Sequence, residues 1–377
     1  MKKTLTLALA LAATSVLAGP AAPINTVASH EDSIFDKIWK LPTIYKNDDS
    51  AFLNELRFVG KAQFDMYSID SGAGADQDWI VRRLRAGLLA RLMHSRLELH
   101  VEADLTPQSD PVYARLTDAY ASWKFCDAAK LTLGKQSTKF TLDGSTSSND
   151  LLTIDRNNLS NNLWFTQEYI SGISLSGKIN AWQYTAGFYS GGTDTKEFGN
   201  FDEGHFALLS LGYDFGKAIG AKKALLRADY VYNDRNAKSS ATRSFENIGS
   251  LTFQLDEGKW GVSTDLSLGT GYGKQSDVFG LVIMPWYNIT DKLQAVVRYT
   301  YLESEDPNGI RFGRYENVMS KGKGDEYQEW YAGLNYYVYG QKLKLQTGVT
   351  WADMQDSAND GGALHAWTWT TGLRVSW

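Results

Sequence analysis

Read two residues at a time, the stretch 79–104 separates into two surfaces. From Leu84 the even positions are Leu84, Ala86, Leu88, Ala90 and Leu92, and beside them stand Arg83, Arg85, Gly87, Leu89 and Arg91. After a tight turn at His94-Ser95 the split recurs, with Leu97, Leu99, Val101, Ala103 and Leu105 against Arg96, Glu98, His100, Glu102 and Asp104. Period-two alternation of this length predicts paired strands with one apolar and one wet face. A strand before this hairpin sets Leu56, Phe58, Ala62, Phe64 and Met66 against Glu55, Arg57, Lys61, Gln63 and Asp65. A fourth, near 114–125, sets Ala119, Ala121, Trp123 and Phe125 against Asp118, Tyr120, Ser122 and Lys124, and a fifth lies near 130–138. The pattern stops over Thr141–Trp164, a run rich in Ser, Asn and Asp. It resumes at about 167–178, 180–190, 204–215, 222–233, 243–256, 259–271, 277–289, 291–303, 326–339, 341–352 and 364–377.

The connections alternate as well. Tight ones at His94-Ser95, Cys126–Ala129, Gly177–Asn180, Asp256–Lys259, Ile289–Lys292 and Tyr339–Gln341 interleave with mostly long ones at about 69–78, 107–113, 141–164, 191–203, 234–242, 304–325 and 353–363. A soluble sandwich has no reason to sort its loops by parity. Sixteen alternating strands, short turns on one side and longer loops on the other predict an all-β fold, a 16-stranded antiparallel outer-membrane β-barrel with periplasmic turns and extracellular loops. No stretch after the N-terminus approaches 18 uninterrupted apolar residues, so a closed barrel is the spanning structure left open to the chain. The 12 Trp and 20 Tyr suit the aromatic girdles of such a barrel. The last strand, Ala366–Trp377, ends on an aromatic and presents Trp367, Trp369, Leu373, Val375 and Trp377 on one face, which looks like the signal read by the barrel-assembly machinery.

Ahead of the barrel, residues 1–18 combine a basic start, an apolar run from Leu5 to Leu17 and small residues at the end, as a secretory signal peptide does. Residues 19–50 are expected to form a periplasmic N-terminal segment, with Ile34, Phe35, Ile38 and Trp39 at helical spacing in a short helix ended by Leu41-Pro42. The barrel then occupies 51–377.

Cys126 is the only cysteine and falls in a predicted turn, which excludes an internal disulfide and a CxxC site. A net charge of −5 with both signs mixed along the chain gives no nucleic-acid footprint. Selectivity must therefore come from placement. No metal or cofactor motif is present. The five histidines, His30, His94, His100, His205 and His365, are scattered with no nucleophile motif beside them, which argues against a barrel enzyme.

Arg57, Arg83, Arg85, Arg91 and Arg96 share the predicted inner face of the first strands, and Lys61, Lys124, Arg227, Arg298, Lys342, Lys344 and Arg374 add cations there. Cations lining a pore favour anions. Glu55, Asp65, Glu98, Glu102, Asp104, Asp118, Asp229 and Asp265 share that face and can pair with them. Arg82 stands on the lipid-facing parity, where a charge costs ~2–4 kcal/mol at bilayer depth. Either it lies above the bilayer, or a bulge turns Arg82 and Arg83 both inward. The 141–164 loop, with Asp143, Gly144, Ser145, Thr146, Ser147 and Ser148 near its start, is the candidate constriction.

Four runs carry a resemblance. Trp79-Ile80-Val81-Arg82-Arg83-Leu84-Arg85, Leu116–Tyr120 leading to Leu133-Gly134-Lys135, Phe140–Asp143 with Ser145–Ser148, and Gly333–Tyr337 followed by Lys342–Leu345 are similar to the phosphate-selective porin O and P family. The resemblance implies a homotrimeric channel for small anions, phosphate being the candidate, whose site uses Arg82, Arg83 and Lys344. The family's phosphate-selective members carry a lysine where this chain has Gly144, and an acidic residue where it has Thr117. Both departures count against tight phosphate selectivity. The competing reading is a general or carbohydrate-preferring porin in which Tyr120, Trp164, Tyr189 and Tyr331 form a stacking track for sugars.

Overall fold

The computed structural model describes residues 33–107, 109–192, 196–236, 238–239 and 241–377. The expected signal peptide, 1–18, lies outside the described residues. Sixteen strands alternate in direction around one closed sheet: β1 (Leu53–Asp70), β2 (Ala75–Leu92), β3 (Leu97–Leu105), β4 (Tyr113–Cys126), β5 (Ala129–Ser137), β6 (Tyr169–Ile179), β7 (Trp182–Ser190), β8 (His205–Asp214), β9 (Lys223–Asn233), β10 (Phe245–Asp256), β11 (Trp260–Gly271), β12 (Val278–Asn288), β13 (Leu293–Ser304), β14 (Glu326–Tyr339), β15 (Leu343–Gln355) and β16 (Leu364–Ser376). Closure is made by β16 on β1, with pairs running from Trp367↔Asp70 to Ser376↔Lys61. Each strand satisfies its backbone through two neighbours, which is what lets the sheet sit in hydrocarbon without an edge.

The outward positions are apolar and open: Leu209, Leu211, Leu226, Leu251, Leu266, Leu268, Phe279, Ile283, Val297, Trp330, Leu334 and Leu345 are all exposed. From β1 to β4 the outer wall also carries small side chains at Ala62, Ala86, Ala90, Ala103, Ala119 and Ala121, set among exposed Phe58, Phe64, Leu88, Leu99 and Val101.

Among the bulges of the sheet, two re-aim functional side chains. Gln63 pairs with Arg83 but Phe64 pairs with Val81, so Arg82 is the extra residue and both arginines point into the bore. The charge on the lipid parity is thus explained by the bulge. The second bulge sets Thr117 and Asp118 together against Glu102, since Val101 pairs with Ala119 and Ala103 with Leu116.

Two expectations need correction. The first long loop, about 69–78, is a four-residue turn, because β1 and β2 run to Asp70 and from Ala75. Asp70 Oδ1 accepts from Gly72 N at 2.8 Å and Ser71 N donates to Gly74 O at 3.0 Å, with Gly72 at a φ of 72°. The segment before the barrel also contains a short strand, Thr43–Lys46, which pairs with residues 55–57 beyond the point where β16 ends. It covers backbone of β1 that would otherwise be an open edge.

Helix α1 (Ile34–Lys40) forms where the spacing predicted. Ser33 and Asp36 close a reciprocal capping box. Phe35 and Trp39 lie on the Tyr339 ring, with centroids 5.5 and 5.0 Å away, and Trp39 Nε1 donates to Ser376 O at 2.6 Å. The helix is thereby fixed to the short-turn end of the barrel.

The 138–168 connection turns inward. It carries α2 (Asn158–Leu163), capped by the Asn157 side chain on Ser160 N. Phe140, Leu142, Leu159, Leu163, Trp164 and Phe165 pack on inward residues of the wall, among them Phe206, Leu208, Val231, Phe245, Ile248, Val282 and Leu302. This apolar cluster fills one side of the bore. The 305–325 connection also turns inward, with a two-stranded ribbon, Ile310–Arg311 on Lys323–Gly324, and a helical turn at Glu316–Met319. Ile310 and Phe312 join the same cluster.

Candidate functional site

The inserted loop is pinned all the way round. Thr141 N donates to Asp229 on β9, Leu142 N to Asp265 on β11 at 2.7 Å, and Arg227 Nη2 to Thr141 O at 2.7 Å. Farther along, Lys61 Nζ donates to Ser148 Oγ (3.2 Å), Lys344 Nζ and Gln346 Nε2 to Leu151 O (2.8 and 3.2 Å), Asn335 Nδ2 to Leu152 O (2.8 Å) and Arg374 Nη2 to Ile154 O (3.2 Å). Arg298 Nη1 reaches Thr153 Oγ1 at 2.7 Å and Asp155 O at 3.0 Å. Much of the basic inner face therefore holds the constriction as well as facing the water.

Two cavities open on either side of this loop. The one toward the long loops has a volume of about 900 Å³, and Arg82, Arg83, Arg85, Arg115, Arg156, Arg243 and Arg314 line it against Asp78, Asp104, Asp155 and Glu168. The one toward the short turns, about 1270 Å³, has lysine in place of arginine: Lys139, Lys178, Lys222, Lys223 and Lys259, with Arg227, face five aspartates. Arg156 joins the two, because it lines the first while its Nη2 donates to the carbonyl of Thr146, which lines the second (3.1 Å).

Of the residues the sequence singles out, Arg82, Arg83 and Arg85 come together in the first cavity. Arg82 holds Asp155 (3.0 Å). Arg83 donates to the neutral amide of Gln63 (2.8 Å) and, among the described residues, makes no ion pair within 4 Å. Arg85 is paired with Asp104, Glu102 and Glu168. Lys344 is buried beneath Leu151, donates also to Gln341 Oε1 (2.8 Å), and lines neither of these cavities. Of the three residues that the resemblance groups into one site, Arg82 and Lys344 thus hold the loop at separate points, while Arg83, beside Arg82, bonds the wall at Gln63. Lys342 is exposed at a turn over the Tyr339 ring. Arg57 and Arg91 share Glu55 near the short-turn end, and Lys124 pairs with Asp127 (2.6 Å).

In the loop itself, Asp143 is turned into the fold, accepting from Asn157 N and Nδ2 at 2.7 Å each. Ser145 and Thr146 donate back to Leu142 O, Ser147 accepts from Asn149 N, and Ser148 alone of the run meets a wall cation. A side chain at Gly144 is excluded, because its Cβ would overlap Phe140 O and press on Trp164 Cδ1 at 2.8 Å. A lysine at that place requires a different loop backbone. Of the residues in the sugar-track reading, Tyr189 and Tyr331 are buried in packing, whereas Trp164 lines the first cavity with Arg156 over its ring at 4.7 Å and Tyr120 is half-buried against Glu98.

Sequence reasoning missed Arg115, Arg156, Arg243 and Arg314. Arg115 has the wrong parity until the Thr117-Asp118 bulge is counted. The others lie in connections, where periodicity carries no information.

The second inserted loop rests on carboxyl chemistry. Tyr315 OH donates to Asp65 Oδ2 at 2.9 Å, and Tyr327 OH donates to Glu316 Oε1 at 3.4 Å. Burial, reinforced by the neighbouring Glu329, pushes the Glu316 carboxyl up to about 7. A raised carboxyl pKa means that the docked loop keeps its full contribution below about pH 4 and loses it as pH rises through about 7. Current recordings between pH 6 and 8 should accordingly grow noisier with rising pH, and Glu316→Gln should remove that dependence.

A family model described as phosphate-selective porin O and P matches residues 58–259, more than half of the chain. The chain belongs to that family. No curated protein matches it in sequence. Solved structures share the architecture at low identity. OmpF of Salmonella typhi is 12% identical with a TM-score of 0.62 (89% of this chain, 100% of that one), and an anion-selective porin from Comamonas acidovorans is 10% identical at 0.59 (85% and 99%). OmpT of Vibrio cholerae in its trimer form is 14% identical at 0.56 (85% and 99%). Family and barrel together make this porin a channel of the outer membrane.

Proposed function

We propose that this porin passes small anions in preference to cations, by passive diffusion and without covalent chemistry, and that phosphate is among its solutes without being held tightly. The observation that carries the reading is the long-loop-side cavity, where seven arginines face four carboxylates. The chain as a whole is acidic, so the preference arises from where the cations stand. Low-dielectric walls focus such a field on the water between them. Guanidinium groups suit phosphate and carboxylate oxygens, and among the described residues Arg83 has no carboxylate within ion-pair distance. The packed Gly144 and the burial of Lys344 support weak retention over a tight phosphate site.

The alanine-rich outer wall from β1 to β4 fits a homotrimer interface, since small side chains let a second barrel approach closely. The mass of the detergent-extracted assembly tests this. Trp377, hydrogen-bonded to Gly60 across the closing seam, is the residue through which the assembly machinery would read the last strand.

Proteoliposome uptake tests the main reading. Inorganic phosphate should enter faster than an uncharged sugar of similar size. Equal rates, or a faster sugar, would favour the general or carbohydrate-preferring alternative.

A further inference from the structure

Asp155 stands in the constriction loop at the wall of the arginine-rich cavity, and its carboxylate takes three donors. Arg82 Nη2 reaches Oδ1 at 3.0 Å, Arg314 Nε reaches Oδ2 at 3.0 Å, and the backbone N–H of Arg156 reaches Oδ1 at 3.1 Å. These donors come from three separate places: the β2 bulge, the 305–325 loop and the constriction loop. Arg83 adds its field beside them. Burial works against ionisation, but Arg82 and Arg314 more than offset it and hold the carboxyl far below its ordinary range.

A loop clasp would be the ordinary explanation for such a residue. That role is already filled, because the main chain at this point is fixed through the Asp155 carbonyl, which accepts from Arg298 Nη1 at 3.0 Å and Thr153 Oγ1 at 2.8 Å. Neither bond involves the carboxylate. Two guanidinium groups and an amide aimed at one pair of oxygens make the donor set that recognises an oxyanion.

We propose that Asp155 is a resident counter-ion: it fills a latent oxyanion site formed by Arg82, Arg314 and the Arg156 amide, and so keeps phosphate-sized solutes from being retained in the channel. The inference rests on the anion-channel reading above. A tethered carboxylate competes at a high effective concentration, and a free phosphate must displace it to bind. The same charge that lowers affinity keeps the path passable, since a solute held tightly leaves slowly.

The test is the chloride current of the full-length porin in a planar bilayer in KCl, titrated with inorganic phosphate, for the native protein, Asp155→Asn and Asp155→Ser. Asparagine keeps the shape and one acceptor; serine removes the carboxylate without filling its place, and stands in should the first variant fail to assemble. The phosphate concentration that halves the current should fall by at least about tenfold in either variant. Sulfate, also tetrahedral, should act in the same way, and adding Arg314→Gln to Asp155→Asn should reverse the gain. Unchanged half-blocking concentrations in the variants would overturn the proposal, as would a gain that survives the loss of Arg314. The reversal potential of the native channel, read in the same membranes, keeps the two claims apart: potassium preference there would sink the anion-channel reading itself.

Discussion

Replacing Arg85 by alanine is expected to cost the barrel about 3–5 kcal/mol, the range for removing one partner of a buried charge network. Its guanidinium is 2% exposed and lies within 4 Å of Asp104, Glu102 and Glu168. It also donates to Tyr169 OH and covers that ring at 4.7 Å. Without it, Glu102 has no cation within ion-pair distance among the described residues, whereas Asp104 keeps Arg115 and Glu168 keeps Arg156. Loss of fixed positive charge should lower anion preference as well as stability. The heat needed to convert the folded barrel to its unfolded form on a gel checks the first effect, and reversal potential the second. Arg85→Lys should recover part of the selectivity but little of the stability, because an ammonium cannot span three acceptors in the way the planar fork does.

Arg298→Ala should act mainly on the constriction. Arg298 Nε binds Glu329 at 2.8 Å, while Nη1 holds the 153–155 segment of the loop, and Asp143 lies 3.9 Å away. Removing it leaves Glu329 beside Glu316 with no cation within ion-pair distance among the described residues and releases the loop where it crosses from β13 toward the β2 bulge. Single-channel conductance should rise on the order of twofold, with added noise, because the bore is set by the loop and not by the sixteen strands. Arg298→Lys keeps a charge near Glu329 and should give an intermediate conductance. An unchanged conductance in the alanine variant would mean that the loop is held without this residue.

The wall was legible because each strand separates two solvents, and that separation is written as parity. Arg82 could be read further, since a guanidinium on the lipid side is costly enough to require either a place above the bilayer or a bulge, and the bulge is what forms. The Thr117-Asp118 bulge could not be read, because Asp118 already falls on the wet parity and Thr117 is tolerated on either. The path of the constriction loop was hidden for another reason. Its Ser, Asn and Asp run suits a surface cap as well as an inserted segment, and what seats it is the apolar set around Phe140, Leu159, Leu163 and Phe165. The complementary signal lay in the wall: Phe206, Leu208, Phe245 and Ile248 are inward and apolar, which in a water-filled barrel means that something covers them. The candidate site was read least well. Lys344 is separated from Arg82 and Arg83 by a loop whose fold no spacing along the chain encodes, and Arg156, Arg243 and Arg314 lie in connections. Many of the inner charges also hold loops, and a sequence does not say which side chains face the water and which are taken up in packing.

The measurement that bears most directly on the account is the reversal potential of the native porin in a planar bilayer under a KCl gradient, near pH 6 where the 305–325 loop is docked. The arginine excess in the long-loop-side cavity predicts a potential on the chloride side of zero, shrinking as salt is raised and the fixed charges are screened. A potential on the potassium side would show that the cavity's carboxylates outweigh its guanidinium groups, and would contradict the anion channel while leaving the barrel as described.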